Sequence, residues 1–155
     1  MSGGDLLIAE AGDRVVGTLR TNFARETDLG YYRELFGLDF VGADFSGAVS
    51  LTTKMMVHPA YRTGTLAVRM AQALYEHGIA RGIRWDFIDC NAHLEDFFTR
   101  LGYEVYRPHV EHSEFGPVLP MRLNLLNLRR LLRIHSPLAL CEVWKQAQPR
   151  LLAAA

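Results

Sequence analysis

Short apolar runs, separated by turn residues, predict that the first third of this chain forms strands and one small helix. Leu6 to Ala11 and Arg14 to Phe23 are β-type runs joined by Gly12-Asp13, which predicts a hairpin. Glu26 to Phe36 has the apolar spacing of a short amphipathic helix. The glycine-rich segment Gly37 to Gly47 predicts a loop against the core or, equally, a lid over a substrate.

The middle of the chain alternates strand and helix patterns. Val49 to Val57 is a third β-type run, and Leu66 to Arg81 follows with helical spacing that Gly82 ends. Trp85 to Asn91 is almost continuously apolar, which predicts a central strand, and a short helix follows from His93 to Leu101. This order predicts an α/β layer fold with a mixed sheet.

The last third predicts two more strands and a helical tail. The strands are Tyr103 to Val110 and Val118 to Leu125, and Pro120 places the second at an edge or a bulge because proline has no N–H. Leu126 to Leu152 reads as helix, interrupted at Ser136-Pro137.

Composition narrows the class of protein. The 155 residues predict a single domain, 1–155, with a core at 6–125 and a tail at 126–155. Lys plus Arg and Asp plus Glu both number 17, so no basic excess indicates nucleic acid. Cys90 and Cys141 lack metal-ligand spacing, which favours reduced thiols and no metal. No membrane-spanning run or signal peptide is visible, and a cytoplasmic protein is expected.

The stretch from Val57 to Ala67 is the strongest candidate for chemistry. Pro59 ends a strand, and a helix begins a few residues later. The first turn of a helix presents unpaired N–H groups and a positive dipole end. A diphosphate could bind there, with Arg62 adding a charge-assisted hydrogen bond and Gly64 leaving space.

This stretch resembles the acyl-donor loop of the GNAT superfamily of N-acetyltransferases, Val-x-Pro-x-x-Arg-x-x-Gly-x-Gly/Ala. Val57, Pro59, Arg62 and Ala67 match, whereas Thr65 stands where the first glycine is usual.

A second signature resembles the same superfamily. The pattern is an asparagine, a short helix, an aromatic residue and then Gly-Phe/Tyr, matched here by Asn91, Phe98, Gly102 and Tyr103. The resemblance covers about Leu6 to Leu125.

The resemblance implies a splayed central sheet with helices on both faces, without a counterpart of the superfamily's first strand and first helices. It implies acyl-CoA or an acylated acyl carrier protein as a co-substrate, with no permanently bound cofactor. The Met55 N–H would act as the oxyanion donor. The implied donor-binding residues are Met56, Val57, Arg62, Thr63, Gly64, Thr65, Leu66, Ala67, Asn91 and Phe98.

Two departures concern proton transfer. Phe98 stands where many members carry the tyrosine that protonates the leaving thiolate. Leu51 stands where many members carry a glutamate that acts as the general base for the amine. Glu114 and His112, in the loop before the last strand, are the alternative bases, and each could equally be a solvated loop side chain. Positioning alone, with a water chain for the proton, is the third option.

A narrower resemblance points to the acyl group. Thr53-Lys54-Met55-Met56-Val57 is similar to the Ser/Thr-Arg/Lys-x-x-Val strand of long-chain N-acyl amino acid synthases and acyl-homoserine lactone synthases. The segment from Phe115 to Met121 is similar to the first of these groups. We therefore expect a fatty acyl donor in preference to acetyl.

These patterns predict an N-acyltransferase that acts on an amino acid or small amine. The alternative is a non-catalytic GNAT-fold module for acyl-CoA binding or interaction, favoured by the two empty acid and base positions. Arg129, Arg130 and Arg133, with Arg122 nearby, are either a solvated helix face or a docking surface for a carrier protein or an anionic membrane. A homodimer is also compatible with the sequence.

Overall fold

The computed structural model describes residues 4–26, 28–38, 45–141 and 144, and these contain one seven-stranded sheet. The strands are β1 (Asp5–Ala11), β2 (Arg14–Phe23), β3 (Val49–Val57), β4 (Trp85–Cys90), β5 (Glu104–Val105), β6 (Val110–His112) and β7 (Gly116–Asn124). Their order is β1-β2-β3-β4-β7-β5, and β6 also pairs with β7.

Helices cover both faces of this sheet. They are α1 (Tyr31–Leu35), α2 (Phe45–Ala48), α3 (Leu66–Ala80), α4 (Glu95–Leu101) and α5 (Leu128–Arg133), with short 3-10 turns at Pro59–Tyr61, Ala92–Leu94 and Pro137–Leu140. The mixed α/β architecture predicted from the sequence is confirmed.

The strands β3 and β4 run parallel and then separate. They pair from Val49 opposite Trp85 to Thr52 opposite Ile88. Beyond that point β3 continues along β2, while β4 continues along β7 as far as Cys90. The sheet is therefore splayed at the carboxyl ends of these two strands.

A β-bulge lies where β3 leaves β4. Two residues of β3, Lys54 and Met55, oppose only Leu19 of β2, because Thr18 pairs with Met56 and Arg20 with Thr53. Lys54 has a φ of 53°, in the left-handed region that non-glycine residues seldom adopt. The bulge bends β3 and increases its local twist, which directs its last residues away from β4.

The two faces of the sheet have separate apolar clusters. On one face, α3, α4 and α5 pack over β4 and β7 around Tyr75, Leu101 and Met121. On the other face, α1 and the residues near it cover Leu51 and Phe87 of the paired half of the sheet. The splay opens between these clusters.

Two predicted elements are shorter than expected. The helix predicted over Glu26–Phe36 is only α1, because an Asp28 carboxylate oxygen accepts the Gly30 N–H at 3.0 Å and Gly30 has a φ of 45°. The strand predicted over Tyr103–Val110 is divided into β5 and β6, since Pro108 lies between them and cannot donate to a sheet.

Pro120 was predicted to lie at an edge or at a bulge, and the edge alternative is wrong. Pro120 lies inside β7, opposite Asp89 of β4, and β7 has further strands on its other side. The Pro120 carbonyl accepts the Tyr106 N–H at 3.5 Å, so the nitrogen of Pro120 faces that same side. Pro120 is opposite the break between β5 and β6, where no neighbouring strand needs a hydrogen bond from its nitrogen.

The predicted helical tail is only partly described. It begins with α5 and the turn Pro137–Leu140, where Ser136 accepts the Leu138 N–H as an N-cap at 3.1 Å. Most of the remaining prediction, to Leu152, lies outside the described residues, as does most of the glycine-rich loop predicted at Gly37–Gly47.

Candidate active site

The splay between β3 and β4 holds a cavity of about 480 Å³, a volume typical of small-molecule sites. Its walls are largely apolar and come from β3, β4, α3, α4 and the loop before β7. They consist of Leu19, Thr52, Thr53, Lys54, Met55, Met56, Ala71, Leu74, Ile88, Asp89, Asn91, Leu94, Phe98, Leu101, Tyr103, Glu114, Phe115 and Val118. The cavity therefore reaches from the α3 face to the β6–β7 loop.

The donor loop follows β3 and leads into α3. Its 3-10 turn begins at Pro59, and the Ala60 N–H bonds to the His58 Nδ1 at 3.2 Å. The Nε of Arg62 donates to the Val57 carbonyl at 2.9 Å, which holds the guanidinium against the end of β3.

The opening of α3 presents backbone donors. The helix begins at Leu66 after Thr65, whose side chain makes no capping hydrogen bond. The first N–H groups of an α-helix have no partner within the helix, so they are available to an anion.

Gly64 leaves room beside these donors. A Cβ there would meet only the Tyr61 carbonyl oxygen, at 3.7 Å, which is an ordinary contact. The fold therefore does not require glycine at this position.

A compact polar group surrounds Asp89, one of the residues of the cavity wall. Asp89, near the end of β4, has an Oδ2 atom 3.6 Å from the Nε2 of His112 on β6. The Tyr32 hydroxyl of α1 is 3.4 Å from the same nitrogen. Tyr31 and Phe115 complete an aromatic wall around the imidazole, with ring centroids 5.7 and 4.7 Å from it.

The hydrogen bonds of His112 define its protonation when it is neutral. Its Nδ1 accepts the Glu114 N–H at 3.0 Å, so the ring proton must lie on Nε2. Nε2–H then points between Asp89 and Tyr32. Neither nitrogen of the buried neutral ring is free to take a proton from a substrate.

Burial and charge change the acidities in this group. Desolvation raises the pKa of Asp89 above its usual range, partly opposed by its backbone hydrogen bond and by His112. The pKa of Tyr32 is also raised, by burial first and then by the charges of Asp89 and Glu114. A carboxylate with a raised pKa is a better proton acceptor at neutral pH.

A second carboxylate, Asp86, is fully buried on the α3 face. It accepts hydrogen bonds from Ser50 at 2.6 Å, Thr52 at 2.9 Å and Tyr103 at 2.6 Å. Burial raises its pKa to about 6, although these three hydroxyl donors oppose the shift. Asp86 itself does not line the cavity, but Thr52 and Tyr103 do.

The structure divides the sequence-predicted site residues into three places. Five line the cavity: Met55, Met56, Asn91, Phe98 and Glu114. The donor-loop residues Val57, Arg62, Thr63, Gly64, Thr65, Leu66 and Ala67 lie from the end of β3 to the start of α3, outside the cavity wall. His112 is buried behind Asp89, not exposed in a loop.

Sequence reasoning missed Asp89 and Lys54 as cavity residues. Asp89 is one of two acids in an otherwise apolar strand, and this break in the pattern was its only signal. Lys54 was noted only as part of the Thr53–Val57 signature, and nothing in the sequence indicated the bulge that turns it into the left-handed conformation.

The sequence model of one family, N-acyl amino acid synthase FeeM, matches residues 3–124. The chain belongs to the FeeM family of N-acyl amino acid synthases. Among curated proteins compared by sequence, none matches it. Within the described residues, no group of three or more His, Cys, Asp or Glu side chains could hold a metal ion, and no helix has the length and apolar character to cross a membrane.

Solved structures agree on the fold of this FeeM-family chain. FeeM from uncultured soil microbes has a TM-score of 0.68 at 12% identity, with 80% of this chain and 74% of FeeM covered. The CoA-dependent acyl-homoserine lactone synthase MesI has a TM-score of 0.62 at 18% identity, with 83% of this chain and 65% of MesI covered. An aminoglycoside 6′-N-acetyltransferase complexed with coenzyme A has a TM-score of 0.58 at 12% identity, with 78% of this chain and 72% of the acetyltransferase covered.

These likenesses confirm the predicted GNAT fold and the predicted resemblance to N-acyl amino acid synthases. The chain spans 65% of the length of MesI and 64% of a similar Lactobacillus plantarum protein, less than two thirds of each.

Proposed function

We propose that this chain is an N-acyltransferase that moves an acyl group from a thioester to the nitrogen of an amine. The observation that carries the proposal is a cavity at the splay of the sheet, whose wall joins Met55 and Met56, directly before the donor loop, to Asp89 and Glu114. A thioester in the cleft and an amine entering from the β6–β7 loop would meet beside β3. Holding two reactants in this way supplies much of the rate of acyl transfer.

The proposed donor is acyl-CoA or an acylated acyl carrier protein. Both carry a phosphopantetheine arm, which is narrow enough for a cleft between two strands. The α3 N-terminus with Arg62 suits the phosphate group of that arm, and Met55, at the bulge, suits the thioester. MesI is described as CoA-dependent, which favours CoA as the first donor to try.

A fatty acyl chain fits the cavity better than acetyl does. Its apolar wall includes Met55, Leu74, Ile88, Leu94 and Phe98. Each buried CH₂ group contributes about 0.8 kcal/mol. A cavity of about 480 Å³ leaves apolar surface that an acetyl group alone would not cover.

The acceptor is proposed to be an amino acid or small amine that enters near Glu114. An amine of this kind is positive at neutral pH, and Asp89 and Glu114 give its entrance an acidic lining. Lys54, which also lines the cavity, could contact a carboxylate of an amino acid acceptor.

Docking and location stay predictions. Arg129 and Arg133 are exposed on α5, whereas Arg130 donates to the Gly102 carbonyl and lies 3.9 Å from Glu104. A carrier protein or an anionic membrane would therefore contact two arginines of the predicted cluster, beside exposed Leu126 and Ile134. A homodimer and a cytoplasmic location also stay predictions.

The proposal is tested by amine-dependent thiol release. Purified protein is mixed with decanoyl-CoA and a mixture of common amino acids and alkyl amines, and free CoA thiol is measured against a control without amine. We expect thiol release that depends on amine. A protein that binds decanoyl-CoA in calorimetry but releases no thiol would instead be the non-catalytic binding module, the function that the Phe98 and Leu51 departures favour.

A further inference from the structure

The proposed acyl transfer needs a group that removes a proton from the attacking nitrogen. Leu51 occupies the position where the superfamily often carries a glutamate as the general base. The Leu51 side chain is completely buried against α1. The nearest carboxylates to the cleft are on other elements. Among the described residues that line the cavity, the carboxylates are Asp89 and Glu114.

Asp89 lies on the same face of the sheet as position 51 of β3, from which the usual glutamate would reach the amine. Leu51 pairs with Phe87 on the parallel strand β4. Asp89 follows Phe87 by two residues, so it shares the face of Leu51 and lies closer to the splay. Its side chain is only 11% exposed.

Asp89 is held beside a histidine that several contacts keep in place. The imidazole of His112 lies 3.6 Å away and is itself fixed by the Glu114 N–H, the Tyr32 hydroxyl and contacts with two aromatic rings. Glu114, by contrast, is an exposed loop residue. A base acts through a defined position, and Asp89 is the more rigidly held of the two.

We propose that Asp89 is the general base that takes the proton from the attacking amine, and that His112 positions its carboxylate. This inference rests on the proposed acyl transfer and names the residue that performs one step of it. Asp89 is then a catalytic residue, and His112 is a positioning residue.

Asp89 acts while the amine adds to the thioester. The ammonium group of the acceptor first loses one proton to solvent. The neutral amine nitrogen then attacks the thioester carbonyl, a C–N bond forms, and an N–H proton moves to the Asp89 carboxylate. The C–S bond then breaks and the sulfur leaves as thiolate. Protonated Asp89 returns its proton to the solvent in the open cavity, and the thiolate takes one from solvent, because Phe98 has none to give. The products are an amide and a free thiol.

His112 suits a positioning role because of its fixed tautomer. A neutral imidazole with its proton on Nε2 offers that proton towards the carboxylate and leaves no free lone pair for the substrate. Its field also lowers the pKa of Asp89, opposing the larger effect of burial.

The test compares kcat and KM for Asp89→Asn, Asp89→Ser and the control Asp96→Asn with decanoyl-CoA and the best amine found. Asp96 is an exposed acid on α4 outside the cavity wall. We expect kcat to fall about 10²-fold or more for the Asp89 variants, the usual size of general-base catalysis, with donor affinity unchanged. The Asp96→Asn variant is expected to stay within about twofold.

A pH profile separates a lost base from a damaged site. The groups that face Asp89 are His112 on β6, Tyr32 on α1, Glu114 after β6 and Lys54 across the cavity, and Glu95 on α4 acts on the neighbouring Cys90. The deficit of Asp89→Asn should shrink by about tenfold between pH 7 and pH 10, where solvent bases replace the carboxylate. His112→Gln should move the acid limb of kcat/KM to higher pH, because the interaction with His112 that lowers the pKa of Asp89 is lost.

The outcomes distinguish the two proposals. If the wild-type chain releases no thiol, acyl transfer itself is wrong. If the wild type turns over and an Asp89 variant with intact donor binding keeps more than about a third of its kcat at every pH, acyl transfer stands and the base assignment is overturned. Loss of donor binding in both Asp89 variants would also contradict the assignment, because it would give Asp89 a structural role.

Discussion

The hydroxyl of Tyr103 donates a 2.6 Å hydrogen bond to the fully buried carboxylate of Asp86. Tyr103 is also part of the cavity wall, whereas Asp86 lies one layer behind it. The carboxylate is thus held next to the donor cleft by Tyr103 and by two hydroxyls of β3. This contact fixes the tyrosine of the second sequence signature against the central strand.

The first prediction concerns the pH dependence of stability. Burial raises the folded-state pKa of Asp86 from 3.8 to about 6, so between these values the folded state holds a proton that the unfolded state has lost. Its contribution is full below about pH 4 and disappears as pH rises through about 6, a change of about 3 kcal/mol. The free energy of unfolding of Asp86→Asn should therefore fall less over this interval than that of the wild type.

Urea unfolding at pH 4, 5, 6 and 7 measures this difference. Asp13→Asn, in the exposed hairpin turn, is the matched control and should keep the wild-type slope. An Asp86→Asn slope equal to that of the wild type would show that Asp86 ionises normally in the folded protein.

The donor loop gives the second prediction. Arg62→Ala removes one charge-assisted partner of the donor phosphate, worth about 1.5–3 kcal/mol. Donor affinity should fall by about one to two decades. Calorimetric titration with decanoyl-CoA measures it, and Arg84→Ala, exposed before the start of β4, serves as the control. Unchanged affinity in the Arg62 variant would remove it from the donor site.

Gly64 supplies the third prediction. A Cβ is tolerated there, so Gly64→Ala should keep the melting temperature and most of the donor affinity. Gly64→Asp places a negative charge before the α3 N-terminus and should weaken donor binding by about tenfold or more. Equal donor affinity in the two variants would mean that no phosphate binds in front of this loop.

The residues of the donor loop could be predicted because they are neighbours in the sequence. A strand, Pro59, Arg62 and a helix start are consecutive, and a βα turn brings them together. Asp89 and His112 are different, since their contact needs β7 to pair with both β4 and β6. The position of Pro120 inside the sheet was not predicted for a related reason. Its tolerance inside β7 depends on the break between β5 and β6, and Pro108 was not recognised as the cause of that break.

The fourth prediction concerns the leaving thiolate. Phe98 is part of the cavity wall and packs edge-on against Tyr103, with ring centroids 5.6 Å apart. If the thiolate needs no acid from the protein, Phe98→Tyr should leave kcat within a few-fold. Steady-state rates at pH 7 measure this, with Phe97→Tyr as the neighbouring control. A gain of about a hundredfold, typical of general acid catalysis, would show that an acid is missing here.

The central claim is that acyl groups pass from a thioester to an amine in the cleft between β3 and β4. Its most direct test is a series of acyl-CoA donors from acetyl to hexadecanoyl at one amine concentration, with the amide identified by mass and kcat/KM read for each donor. We expect the amide of each acyl group, with kcat/KM rising by about two decades for four added carbons until the cavity is filled. Amide formation that is fastest with acetyl and falls with chain length would contradict the fatty acyl assignment, and donor binding without any amide would contradict the claim itself.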